Sequence, residues 1–363
     1  MNGDVRFMAR ALRLAGRGVG RVSPNPLVGA VIVRDGRVIA EGWHHACGAD
    51  HAEVDALKRA GADAAGADVY VNLEPCCHHG RTPPCAQALI DAGVRRVVVA
   101  MIDPNPLVSG RGVAMLRDAG IAVDVGVGEA AARALNAPFA KWIVHGRPHV
   151  TLKMAATMDG RTADRDGHAR WISSPASRRA VHRMRAAADA VLVGEGTLRA
   201  DDPMLLPVGV RAGRPLRVVA AASGRLPADA RLFASLDRGP VAVALPEGDD
   251  TSESAALAAR GVALLRLPAA SGGVDPAALV DALGRRGVTS VLCEGGAGLG
   301  AALLRAGRVD RVVLFLAPRL LGDPAAHPLV GDLGRVRLDD ALGFRVVRVG
   351  RSGPDVRVDL EPA

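Results

Sequence analysis

"HAEV" at residues 51–54 and "EPCCHHGRTPPC" at 74–85 gather an unusual density of metal-ligand chemistry into one part of the chain. Three of the five cysteines, Cys76, Cys77 and Cys85, lie in the second segment; only Cys47 and Cys293 fall outside. His51 and Glu53 open "HAEVDALKRAG", whose apolar spacing predicts a helix that Gly61 ends. Cys76 follows a buried strand, "ADVYVNLEP", stopped by Pro75. Cys85 opens the next helix, "PPCAQALIDAG", whose leading prolines suit a helix start and whose Gly93 closes it. Two helix starts facing each other across a strand end would supply one imidazole and two sulfurs, and their partial positive charge favours thiolates. A catalytic zinc ion takes three such ligands and keeps a fourth position for water. His79 and Cys77 stay open as alternatives for the third ligand. Glu53 is the informative residue, because a structural zinc has no use for it and a hydrolytic one needs a nearby proton carrier.

Outward from this cluster the chain reads as strand–helix alternation, which implies a sheet layered with helices. "VGAVIVRDGRVIAEGWH" predicts a hairpin around Asp35-Gly36. "VRRVVVAM" and "IAVDVGV" are strands and "GVAMLRDAG" a helix. "EAAARALNAPFAKWIV" reads as a single helix running into "HGRP" at 145–148, where a break and a new strand, "HVTLKMAA", mark a domain boundary: 1–146 and 147–363. The second half predicts a helix at "SPASRRAVHRMRAAA", with Ser174 as cap and Pro175 at its first position. Strands follow at "AVLVG", "LRVVAA", "PVAVAL", "VTSVLCE" and "RVVLFLAP", and "FRVVRVGRSGPDVRVDL" reads as a closing hairpin. The polar piece at 247–254 reads as a surface loop.

Length and composition bound the function. A chain of 363 residues, 49% hydrophobic, has material for two cores. It lacks a secretory pattern at its start and an apolar run of membrane-spanning length, so a cytoplasmic protein is expected, with no membrane partner. Five cysteines, three beside histidines, fit a reducing compartment and a metal rather than disulfides. The net charge of +8 could serve nucleic acid or small phosphorylated anions. Aromatic residues, the stacking platforms of single-strand binding, make up only 2% of the chain, so no nucleic-acid partner is expected.

H-x-E followed by P-C-x-x-C is the pattern of zinc deaminases. "HAE" and "EPC" match it, whereas the second cysteine stands much further on, so "CHHGRTPP" must loop out and return; at about 3.3–3.6 Å per residue it can. Together with "SPNPLVGAVIV" and "DPNPLVSGRG", these segments resemble the deaminase half of the bifunctional riboflavin-biosynthesis deaminase–reductases, where a long insert separates the zinc cysteines. The usual P-C-S-H there has Cys77 in place of Ser. The resemblance implies a cytidine-deaminase-like three-layer α/β/α domain with zinc held by His51, Cys76 and Cys85 and with Glu53 as proton shuttle. Asn25, His44, His78 and Arg81 match positions that hold the substrate's base, ribose or phosphate. The implied substrate is a phosphorylated aminopyrimidine, which loses an exocyclic amine as ammonia.

In the second half, "VLCEGGAGLGAALL" sets a Gly-rich turn between strand and helix, where backbone N–H groups can cradle phosphate. Gly296-x-Gly298-x-x-Ala301 fits the loose dinucleotide fingerprint, but the acid expected about 20 positions on is missing from "FLAPRL", which disfavours an ordinary NAD-type domain. "TLKMAATMDGRTA", "WISSP", "VLVGEGTLRADDP", "CEGGAGL" and "LAPRLLG" resemble the reductase half of the same family, whose α/β fold is similar to dihydrofolate reductase. The resemblance implies that NADPH reduces the ribosyl to a ribityl side chain. It places Ala155, Trp171, Thr197, Asp201, Ser223 and the turn Gly296, Ala297, Gly298, Leu299, Gly300, Ala301 and Ala302 at the cofactor. Lys153, Arg185, Leu205 and Glu294 match substrate positions. Two departures stand out. Ala169 replaces the usual Ser two places before the Trp, and "DDPMLLPVGVRAGRP" lacks the usual Thr-x-Arg after "DDPxL", so Arg211 or Arg214 would have to reach in. The alternatives are a deaminase with an inactive or repurposed reductase domain, a tRNA-adenosine-type deaminase, and a zinc-stabilised nucleotide-binding module. A homo-oligomer is expected.

Overall fold

The computed structural model describes residues 3–77, 84–210 and 213–363. The chain falls into two compact units, Met1–Gly146 and Arg147–Ala363. The first begins with α1 (Gly3–Ala15) and the hairpin of β1 (Gly29–Arg34) and β2 (Arg37–Trp43), turned at Asp35 and Gly36, both at positive φ. Then come α2 (Ala52–Ala60), β3 (Asp68–Val71), α3 (Cys85–Asp91), β4 (Arg96–Val99), α4 (Arg111–Asp118), β5 (Ala122–Val125), α5 (Glu129–Leu135) and α6 (Ala137–His145). The sheet order is β2-β1-β3-β4-β5. β1 is antiparallel to both neighbours, while β3, β4 and β5 are parallel.

Successive strand residues point to opposite faces, and each face has its own core. Ile32, Val69, Val71, Val97 and Val99 pack with Ala56 of α2, Leu89 of α3 and Leu116 of α4. Val31, Val33, Tyr70 and Val98 pack with Phe7 and Leu14 of α1, Ala132 of α5 and Phe139 of α6. The result is three layers. Two glycines set how closely helices approach: a Cβ on Gly42 would stand 2.2 Å from the Ala52 carbonyl, and one on Gly112 would stand 2.0 Å from the Pro75 carbonyl. Their absence of side chain lets the start of α2 lie on β2 and the start of α4 lie against the residue before Cys76. The single helix expected over 129–144 is instead two, broken at Asn136. That side chain accepts from the Leu27 N–H at 2.8 Å and donates to the Leu27 carbonyl at 3.0 Å, and Pro138 occupies the first turn of α6.

The second unit runs β6 (His149–Thr157), β7 (Arg161–Ala163), α7 (Pro175–Ala187), β8 (Ala190–Gly194), α8 (Glu195–Asp201), β9 (Leu216–Ala220), α9 (Arg231–Ala234), β10 (Val241–Pro246) and α10 (Ser252–Ala259). It continues through β11 (Ala263–Leu267), β12 (Ala269–Ala270), β13 (Gly273–Val274), α11 (Pro276–Arg285), β14 (Ser290–Cys293), α12 (Ala297–Arg305), β15 (Arg311–Ala317), β16 (His327–Pro328), β17 (Phe344–Ser352) and β18 (Asp355–Pro362). Nine strands form one sheet in the order β11-β10-β9-β8-β14-β6-β15-β18-β17. It is parallel from β11 to β15 and ends in the antiparallel hairpin of β17 and β18. One face packs on α11 and α12 through Leu279, Leu283 and Leu303; the other packs on α8, α9 and α10 through Leu198, Phe233 and Leu257.

Ser174 caps α7 as expected, accepting from the Ser177 N–H, and Asp355 of the hairpin accepts from the Ser174 N–H at 2.8 Å and the Ser177 hydroxyl at 2.6 Å. The stretch 247–254 is a loop only to Thr251. That residue caps α10, a helix whose Ala-rich sequence carries little periodicity and was therefore not expected.

Candidate active sites

The first site assembles at the starts of α2 and α3. His51 is the N-cap of α2, held extended at φ −71° and ψ 160°, and its Nδ1 lies 3.1 Å from Cys85 Sγ and 3.6 Å from Cys76 Sγ. The Cys85 backbone N–H donates to Cys76 Sγ at 3.3 Å. The three donor atoms lie within 4.8 Å of one another. A tetrahedral ion with bonds of about 2.0–2.3 Å needs donors a little under about 4 Å apart, so both size and chemistry fit zinc. Hydrogen bonds from Cys85 and His51 overcome burial and hold the Cys76 thiol well below the usual range, while the hydrogen bond to Cys76 and burial push Cys85 up. Cys77 is half-buried and is not part of this group. His78, His79 and Arg81 lie outside the described residues.

Glu53 is 3% exposed and stands outside the ligand set. Burial, reinforced by the neighbouring Cys76 thiolate and opposed by His51, lifts its carboxyl to about 7. An acid poised near neutrality can both take up and release a proton.

Asn25 and His44 meet beside His51. Asn25 Nδ2 is 3.0 Å from His44 Nε2, and His44 Nδ1 is 2.9 Å from the Asp50 carbonyl. A carbonyl only accepts, so Nδ1 carries the hydrogen and Nε2 accepts from Asn25. The His44 ring stands edge-on to His51, with centroids 5.5 Å apart. Asn72 and Asn136 clamp Leu27 from both sides, which fixes the loop that carries Asn25.

Glu74 has no role in the metal-ligand pattern of residues 74–85. It is buried, and its carboxylate accepts from the N–H groups of Asp103 (3.1 Å), Gly110 (2.8 Å) and Val113 (3.0 Å). It thereby ties "DPNPLVSGRG" and the start of α4 to the strand end that carries Cys76. Only its place two residues before a ligand could have signalled it.

The second site opens where β14 lies between β8 and β6, at the carboxyl ends of these parallel strands, where open α/β sheets bind ligands. The cleft has a volume of about 1670 Å³. Lys153, Ala155, Trp171, Arg185, Thr197, Asp201, Leu205, Glu294 and the turn from Gly296 to Ala302 all line it. Ser223 does not, although Ala222 does. Beyond β9, which ends at Ala220, Ala222 is tied to Glu195 by a 3.1 Å hydrogen bond, and the Gly224 N–H donates to Asp249. Arg214 is likewise not a lining residue, and Arg211 lies outside the described residues.

At the cleft floor Arg185 grips Glu294 with two nitrogens, one at 2.9 Å, and donates to the Leu206 carbonyl at 3.2 Å. Lys153 Nζ stands 3.9 Å from the same carboxylate. Burial alone would raise Glu294; the two cations outweigh it and hold the carboxyl below its usual range. Asp202 and Leu205 both adopt positive φ, 41° and 56°, a left-handed backbone that non-glycine residues rarely take. Trp171 is 61% exposed with the Arg178 guanidinium 4.5 Å above its ring, so it is not a core residue. Gly296 (φ 34°) begins α12, and a Cβ on Gly298 would meet open space, so an extended anion can approach these backbone amides. The turn thus fits a dinucleotide phosphate.

Residues 1–101 match the cytidine and deoxycytidylate deaminase zinc-binding region, and residues 148–358 match the RibD C-terminal domain. The chain is 41% identical over 355 residues to the riboflavin biosynthesis protein RibD of Synechocystis, covering 98% of this chain and 95% of that one. It is 40% identical to the Escherichia coli protein of the same name, covering 98% and 99%. Among solved structures, Acinetobacter baumannii RibD superposes with a TM-score of 0.88 at 39% identity. A Thermotoga maritima diaminohydroxyphosphoribosylaminopyrimidine deaminase/5-amino-6-(5-phosphoribosylamino)uracil reductase does so with 0.88 at 35%. Each covers 99% of both chains.

Proposed function

The chain belongs to the RibD family of riboflavin biosynthesis, bifunctional enzymes that join a deaminase to a reductase, and from this premise we propose its substrate, cofactors and residue roles. The substrate is 2,5-diamino-6-hydroxy-4-(5-phosphoribosylamino)pyrimidine, hydrolytically deaminated in the first unit and then reduced from ribosyl to ribityl in the second. One observation carries the deaminase roles: His51, Cys76 and Cys85 converge while Glu53, buried beside them, stays out of the ligand set.

His51, Cys76 and Cys85 would hold zinc, which when bound makes water nucleophilic near neutral pH. Glu53 takes the water proton as the oxygen adds to the amine-bearing ring carbon, then passes it to the departing nitrogen. Ammonia leaves and a carbonyl remains. Asn25, oriented by His44, holds the pyrimidine, and His78 and Arg81 complete this substrate site as part of the proposal.

In the second unit NADPH, when bound along Gly296–Ala302 with Ala155, Trp171, Thr197 and Asp201, supplies hydride to C1 of the opened ribose. Lys153, Arg185, Leu205 and Glu294 orient the substrate. The largely buried Arg185–Glu294 pair, joined through two guanidinium nitrogens, fixes the reacting carbon in this proposal. Ser223, next to Ala222 of the cleft lining, completes the cofactor residues of this proposal.

Among the described residues no helix is long and apolar enough to cross a membrane, and cytoplasmic residence belongs to the proposal, as does homo-oligomeric assembly, which sedimentation tests. Purified protein given the diaminopyrimidine should release ammonia without NADPH, and should oxidise NADPH only after deamination. Ammonia release with no cofactor oxidation would remove the reductase half of the reading.

A further inference from the structure

β2 is an edge strand of the first sheet, so among the described residues its outer side has no strand to pair with. Its last paired residue is Trp43, opposite Gly29. The next residue, His44, donates its N–H to the Val28 carbonyl on the β1 side at 3.0 Å. Successive N–H groups of an extended chain point to opposite sides, so that of Trp43 faces away from β1. Its acceptor is Asp55 of α2, 3.2 Å away. The same carboxylate oxygen lies 3.1 Å from His45 Nε2, which must donate because an ionised carboxylate only accepts. Asp55 therefore stands in for a neighbouring strand and grips the residues on both sides of His44. The Trp43 and His45 rings, with centroids 3.8 Å apart, pack on each other across this grip.

One helix carries all the groups concerned. His51 caps α2, Glu53 lies in its first turn, and Asp55 stands at i+4 from His51 and so on the same face. A Cβ on Gly42 would lie 2.4 Å from the Ala56 nitrogen, so the end of β2 and the first turns of α2 are in direct contact. The plain reading of Asp55 is a helix-surface ion pair with Arg59, four residues on. Such a pair contributes little when its cation is 54% exposed. It accounts for neither the 16% exposure of the Asp55 side chain nor the two donors that reach it from beyond the helix.

We propose that Asp55 is a positioning residue of the deaminase site: it fixes the strand end Trp43–His45 so that His44 and Asn25 hold the pyrimidine in register with His51 and Glu53. The inference rests on the assignment of Asn25 to the substrate made above. Asp55 is outside the group of metal donors and acts through His44. Its contribution is to binding, made alike before and during reaction, so its loss falls on KM rather than on kcat.

The test is steady-state ammonia release by the full chain from the diaminopyrimidine, with zinc content measured alongside. Asp55→Ala should raise KM about 5- to 10-fold, the scale of one net hydrogen bond, with kcat little changed and zinc retained. Asp55→Asn keeps an oxygen for the Trp43 N–H and should show an intermediate KM; it takes the place of the alanine variant if that one does not fold. Arg59→Ala removes only the ion pair and should leave KM unchanged. In an Asn25→Ala background, Asp55→Ala should add nothing further, because the route through Asn25 is already cut. Multiplication of the two effects, an equal rise in KM in Arg59→Ala, or loss of kcat or zinc in place of the KM change overturns the proposal. An Asn25→Ala variant with unchanged KM would instead overturn the assignment of Asn25 to the substrate, and the proposal with it.

Discussion

Glu53 and Arg217 show how far apart two buried charged residues can be in what they do. Glu53 is two positions from a metal ligand, and its burial tunes it towards neutrality for proton transfer. Glu53→Gln keeps the shape and removes the proton carrier. Ammonia release should fall by about 10²- to 10⁴-fold, while elemental analysis still finds zinc and the variant still reduces substrate that is supplied already deaminated. A variant that loses its metal would place this carboxylate among the ligands. Arg217 has 0% exposure and faces no acid at hydrogen-bond distance; it donates to the Ser235 hydroxyl and carbonyl at 2.6 and 2.7 Å, to the Gly239 carbonyl at 2.6 Å and to the Met204 carbonyl at 3.3 Å. It binds the turn after α9 to the wall segment that holds Leu205. Arg217→Met strands several buried acceptors and should cost at least about 3 kcal/mol, read by denaturant unfolding of the second unit. The sequence distinguished neither residue by burial: Glu53 was picked out by its spacing from His51, whereas Arg217 sits in "LRVVAA" with no motif around it.

At the scale of elements, α2, α3 and α7 were legible because their starts and stops are local chemistry: Gly61 with φ 55° closes α2, and Ser174 with Pro175 opens α7. α10 and the break between α5 and α6 were not. α10 has no apolar stripe to read, and the break depends on Asn136 gripping Leu27, a residue far away in sequence. The loop Asp103–Gly110 is the element on which the deaminase site leans, because Glu74 holds it through three backbone N–H groups. Glu74→Gln replaces one accepting oxygen by a donor that faces those N–H groups. Deamination should drop about 10- to 100-fold, the usual scale for a residue that supports metal ligands without binding the ion, and reduction should be untouched. Unchanged ammonia release would show that the loop needs no such tether.

At the scale of the whole molecule, two compact units each carry a separate set of chemical groups, which predicts that their activities can be lost independently. Prolonged treatment with a zinc chelator should abolish ammonia release and leave oxidation of NADPH by pre-deaminated substrate at its original rate. Joint loss of both would mean that the metal also sustains the second unit. What could be read without coordinates was whatever depends on neighbours in the chain: element starts and stops, the break near "HGRP", and the ligand types at their spacing. The resemblance to a family was legible in the same way, since motifs are contiguous. Folding alone settled that the sulfurs of Cys76 and Cys85 meet one imidazole nitrogen, that Cys77 does not join them, that Ser223 is not among the residues lining the cleft, and that Glu74 and Arg217 are held by partners remote in sequence. Those outcomes depend on burial and on contacts between residues remote in sequence, and side-chain desolvation and hydrogen-bond geometry exist only once the sheets have brought such residues together.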